Sequence, residues 1–159
     1  MSEDARFEDA AEPALRLMAE DAEDLGVIAA LVQDAVLPGS EISWSSGRRR
    51  FACLINRFRW EDKAARAGRH PPERVQAVLQ FDDVLAVKSQ GLAASEIKDV
   101  VLSLLTVAFE PGEDGAGRIL LTFAGDGVLG LEVEAINVTL QDVTRPYQAP
   151  SGRVPEHPE

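Results

Sequence analysis

Cysteine is almost missing from this chain. Cys53 stands alone among 159 residues, so an internal disulfide and a cysteine-based metal cluster are both excluded. Histidine is nearly as scarce. His70 lies in a Pro-containing stretch and His157 near the end, and neither has a second histidine at ligand spacing, which argues against zinc. No apolar run approaches the ~18 residues that cross a bilayer. The opening MSEDARFEDAAEP is acidic and lacks the apolar segment of a secretory signal. The expectation is a cytoplasmic protein without membrane association. Cys53, between Ala52 and Leu54, reads as a small buried hydrophobe.

Positive charge is also in short supply. Sixteen Lys and Arg face twenty-seven Asp and Glu, for a net charge of −11. Such a chain is repelled by nucleic acid in bulk, unless its charge is unevenly spread. It is uneven. Residues 48–74 hold nine of the sixteen basic residues against three acids, a local excess of +6, which leaves −17 on the rest.

What is present points to one domain. At 45% hydrophobic residues the composition is that of a globular protein. Residues 1–13 read as a disordered acidic N-terminus, 14–144 as a single folded domain, and 145–159 as a Pro-rich flexible tail. Leu15, Leu17 and Ala19 alternate as in a short strand. Apolar residues recur at helical spacing from Leu25 through Val36, which predicts a helix over 21–37. Asp21 caps it, Glu23 and Asp24 favour its N-terminal dipole, and Pro38-Gly39 ends it.

Strand patterns follow. In RRRFACLINRFRWED, Phe51, Cys53 and Ile55 share one parity, and Phe58 and Trp60 share the other. A β-bulge near Asn56 would place all five on the core face and send Arg50, Arg57 and Arg59 to the opposite face. RVQAVLQFDDVLAVK shows a similar slip at Asp82-Asp83. Residues 91–100 suit a helical turn, with Ser95 as its cap. Residues 100–109 are apolar on both faces and read as a strand covered on both sides. RILLTFAG is a further strand, Asp126-Gly127 a hairpin turn, and 128–143 one long final strand, preferred over a helix for its β-branched residues. The predicted fold is α+β: one main helix on a curved antiparallel sheet of about six strands, with an open barrel as a variant.

Candidate chemistry is sparse. GDGVLG, residues 125–130, matches G-x-G-x-x-G, but a strand follows it where a phosphate site needs a helix. Asn137-Val138-Thr139 matches the glycosylation sequon without a secretory context. Asp82/Asp83, Glu113/Asp114 and Glu132/Glu134 are neighbours on strands or turns, not carboxyls set in different environments across a cleft. No catalytic residue, metal ligand or cofactor is assigned.

The stretches LRLMAEDAEDLGVIAALVQDAV, RRFACLINRFRWED, RVQAVLQFDDVLAVKSQGL and LEVEAINVTLQDV together resemble a proteobacterial family, domain-of-unknown-function family 2948. The resemblance covers about residues 14–146. It implies a one-domain bacterial cytoplasmic protein and carries no catalytic or binding residues with it.

Three functional readings follow. The leading one is a non-catalytic binding or accessory domain acting through protein contacts. Its partner is another protein or a second copy in a homodimer, because a strand apolar on both faces needs covering. The second is an anion-binding module for phosphate or single-stranded nucleic acid. It would use Arg50, Arg57, Arg59 and Lys88, with Trp44 or Trp60 for stacking. The third is a small-molecule enzyme without a recognisable motif. Against the anion reading stands a purely structural one. Aromatics at strand spacing are core, and the arginines pair with acids such as Asp83, Glu132 or Glu134.

Overall fold

A computed structural model describes residues 14–63, 67–68, 71, 73–93 and 95–148. Arg66, Arg69, His70 and His157 lie outside the described residues. Among the described residues lie one ten-residue helix, α1 (Ala22–Leu31), and eleven strands, ten of them three residues or longer. In chain order these are β1 (Arg16–Ala19), β2 (Val36–Pro38), β3 (Ile42–Ser45), β4 (Arg50–Phe58), β5 (Glu73–Phe81) and β6 (Val84–Gln90). They continue with β7 (Val101–Pro111), β8 (Gly117–Phe123), β9 (Val128–Val133), β10 (Val138–Asp142) and β11 (Tyr147–Gln148).

The α+β expectation of about six strands is therefore corrected to a mainly-β fold. Strands that read as continuous in sequence break in space. Residues 75–88 are two strands separated by Asp82-Asp83, and 128–143 are two strands separated by residues 134–137. The predicted helix is also cut short. Val32 ends it, Asp34 takes a left-handed φ of 63°, and Val36 enters β2. The β-branched Val32 and Val36 favour that exit. Val32, Ala35 and Leu37 are still buried, so the apolar pattern served a turn and a strand instead of a helical face. Asp21 caps the helix as expected, accepting from the Asp24 amide at 2.8 Å.

All pairings are antiparallel, in the order β1-β10-β5-β4-β2-β7-β8-β9-β6, with β3 also on β4 and β11 also on β5. Strands β1 and β6 end the path and are not paired with each other, so the sheet does not close into a barrel. β7 joins its two halves. Residues 101–103 pair with β2, and residues 104–111 pair with β8 past an irregularity at Leu104/Thr106. Two corners carry the chain between the halves, and they bond to each other. The Asp82 amide donates to Asn137 O at 2.9 Å, and the Glu134 amide donates to Asp83 O at 3.0 Å. Asp83 sits at φ 58°, in the left-handed region that Asp tolerates better than most residues.

One core lies inside the curve of the sheet. It is built from alternate residues such as Phe51, Ile55, Leu79, Phe81, Leu121, Leu131 and Leu140, and α1 adds Leu25 and Ile28. The helix packs against β1 and β7. β7 is not buried on both faces: Leu102, Leu104 and Val107 point inward, while Val101 is 71% exposed. The helical turn at 97–99 is present, but its cap is Glu96 without a side-chain bond, not Ser95. Tyr147 and Gln148, expected in the loose tail, pair with Arg74 and Glu73 of β5.

Candidate functional site

The parity of β4 decides the fate of its arginines. No bulge occurs at Asn56. The register with β5 runs without a shift from Phe51↔Phe81 to Phe58↔Arg74. Phe51, Cys53, Ile55 and Arg57 therefore share the inward face, and Arg57 is 0% exposed. The side chain of Val75 is its cross-strand neighbour, and Ala77 lies next along β5, opposite Asp142 on the far side. These small residues leave room for a guanidinium to reach a carboxylate across β5.

Arg57 uses all five of its donors there. Nε and Nη2 donate to Asp142 at 3.1 and 2.9 Å. Nη1 and Nη2 donate to Glu61 at 2.9 and 2.8 Å, and Nη1 also donates to Phe58 O at 3.0 Å. Burial alone would lower the Arg57 pKa. The bonds and charges of Glu61 and Asp142 outweigh it and hold the pKa above the ordinary guanidinium value. Burial likewise pushes Glu61 up, but the bonds and charges of Arg57, a backbone bond and the nearby charge of Arg59 bring it below the usual carboxylate range. Arg57 and Asp142 form a satisfied buried ion pair, which the more exposed Glu61 extends to a triad, and each buried charge is expensive to leave alone.

The other predicted site residues are dispersed. Arg59 pairs with Glu73 at 2.5 Å and Asp62 at 3.3 Å. Arg50 pairs with Asp82 at 2.8 Å. Lys88 is on β6, 3.8 Å from Glu132, which also holds Arg118 at 2.8 Å. Lys88, Arg118 and Gly130 line an outward groove of about 190 Å³. Trp44 lies opposite Phe51, near the start of β4. Trp60 lies past the end of β4, donates to Gln33 O at 3.0 Å and packs on Phe58 with ring centroids 5.6 Å apart. The structure thus brings Arg57 and Arg59 near one acidic cluster and leaves Arg50, Lys88 and the two tryptophans elsewhere. Among the described residues no group of three or more His, Cys, Asp and Glu is placed to hold a metal ion.

Sequence reasoning missed a second cluster, on the outer face of β4 and β5. Phe58 is buried as expected, at 3% exposure, but it has the opposite parity to Arg57, stands apart from the main core cluster and is covered by Arg74, whose guanidinium carbon sits 3.9 Å from the ring centroid. Arg74 Nη1 donates to Asn56 Oδ1 at 3.2 Å, and Asn56 Nδ2 donates to the Tyr147 hydroxyl. Only the β11 pairing, invisible to local pattern, puts Tyr147 there. Asp142 was legible in principle: Val138, Leu140 and Asp142 share one parity, just as Ile55 and Arg57 do.

Fold and site together define a mainly-β protein, with one ten-residue helix among the described residues, whose basic strand is largely neutralised from within. The chain belongs to the DUF2948 family: the model of that family, described as a protein of unknown function, matches residues 15–157. No curated protein and no solved structure matches the chain.

Proposed function

We propose that this chain is a non-catalytic binding or accessory domain that acts through protein contacts. The observation that supports this is the open edge at β6. Val84 donates to Arg49 O, and beyond it β6 makes its backbone hydrogen bonds with β9 alone among the described residues. Leu85 is 49% exposed on that edge. An unpaired strand edge is a template for an incoming strand, with main-chain bonds for affinity and side-chain contacts for selectivity. The irregularity at Val84/Ala86 and the charge of Lys88 limit indiscriminate pairing, which leaves a short selective segment.

The test compares wild-type protein with a Leu85→Lys variant of equal urea midpoint. Sedimentation reads self-association, and capture from a native lysate reads other partners. A second copy or a defined protein held by wild type and lost from the variant is the expected result. Identical behaviour of the two proteins in both measurements removes β6 as the contact surface.

A further inference from the structure

We propose that Arg74 is an oxyanion-recognition site, taking the phosphate or carboxylate group of a small molecule. It lies in the other half of the sheet from β6 and does not depend on the protein-contact reading.

Arg49, Arg50, Arg57 and Arg59 each hold a carboxylate of this chain. Arg74 makes no salt bridge among the described residues, although it is half-buried between Phe58 on β4 and Tyr147 on β11. The adjacent acid, Glu73, has the opposite parity on β5 and is bonded to Arg59. Arg74 is nonetheless held in place. The ring of Phe58 lies under the guanidinium, and Asn56 Oδ1 accepts from Nη1. The orientation of Asn56 is set in turn by its bond to the Tyr147 hydroxyl.

This arrangement uses one of the five guanidinium donors, where Arg57 uses all of them. A planar fork already ordered by its neighbours loses little entropy when it meets two oxygens of an anion. Its surroundings are an amide, a phenol and an aromatic ring, so among the described residues no carboxylate competes for the fork. Phosphate and carboxylate both present oxygens at the spacing that guanidinium donors match.

The test follows the arginine Nε–H resonances of the full chain by NMR while inorganic phosphate or acetate is added at constant ionic strength, with chloride as control. Arg74 is assigned by the loss of its signal in Arg74→Lys. A saturable shift at Arg74 with phosphate, with acetate or with both, while Arg57 stays still, is the expected result. The two arms show which oxyanion is preferred. Intrinsic fluorescence titration of Arg74→Lys should show affinity weaker by at least about tenfold, since an ammonium lacks the fork. Asn56→Asp, nearly isosteric, supplies an internal carboxylate to the guanidinium and should abolish binding with Arg74 retained. The proposal is overturned if Arg74 does not respond to either anion, if chloride gives the same shift, or if Asn56→Asp titrates like wild type.

Discussion

Arg57 and Asp142 stand 85 positions apart, yet they meet through two bonds, Nε to Oδ1 at 3.1 Å and Nη2 to Oδ2 at 2.9 Å. Both side chains are withdrawn from water, Arg57 fully and Asp142 to 8% exposure. The pair ties β4 to β10 across β5, at the point where the apolar core gives way to charge.

Removing one partner should therefore cost far more than a surface ion pair. Arg57→Ala leaves Asp142 without its cation, and about 3–5 kcal/mol of stability should be lost. The double replacement Arg57→Met with Asp142→Leu removes both buried charges and should recover a substantial part of that loss. Urea denaturation of the three proteins decides it. Equal stability of Arg57→Ala and wild type would mean that the triad contributes nothing.

Glu61 gives stability a dependence on acid. Its folded pKa is depressed below the ordinary 4.5, so the unfolded chain takes up its proton first as pH falls. The stabilisation is fully present above about pH 4.5 and is lost as pH drops through the folded value. Thermal midpoints of wild type and Glu61→Gln should differ most near neutral pH and converge on acidification. A constant difference from pH 7 to pH 3 would contradict this origin.

Cys53 should be inert in the folded protein. Burial raises its thiol to about 12, and its Sγ lies 3.9 Å from Leu79 O beneath the sheet. A thiol-specific disulfide reagent at pH 8 should label it only on unfolding, because the thiolate is the reactive form. Rapid stoichiometric labelling without denaturant would show that the β4–β5 core opens readily.

Two glycines should respond in opposite directions to alanine. A Cβ on Gly39 would lie 1.5 Å from Ile97 O, where the 3₁₀ turns at 39–41 and 97–99 meet, so Gly39→Ala should cost at least about 2 kcal/mol. Gly26 is exposed inside α1 with nothing within 4 Å of that position, so Gly26→Ala should add roughly 0.5–1 kcal/mol. Chemical denaturation of both variants checks the pair.

Much of the strand content was legible because alternation is a local signal. Val75, Ala77, Leu79 and Phe81 alternate in sequence and are buried, and Val84 resumes the core after the phase slip. The reading of β4 failed at Asn56 for an identifiable reason. A bulge there would bring Phe58 and Trp60 onto the face of Phe51, Cys53 and Ile55, but the register with β5 runs unbroken and Arg57 takes that face instead. The inward parity of Asp142 held the compensating charge, but no local pattern links residues 57 and 142. The same limit hid Arg74: its setting depends on Asn56 and Tyr147, which come from strands on either side of β5.

By itself the sequence determined the alternation of apolar residues, the cap at Asp21, the turn at Asp126-Gly127 and the lone cysteine among apolar neighbours, because each depends on a residue and its near neighbours. The tertiary structure decided where apparently continuous strands turn, which charges go inside, and which strand edge stays open. Those outcomes depend on pairings between distant segments. A buried charge is tolerated only where its partner is delivered, and a strand ends where the chain must cross to another part of the sheet.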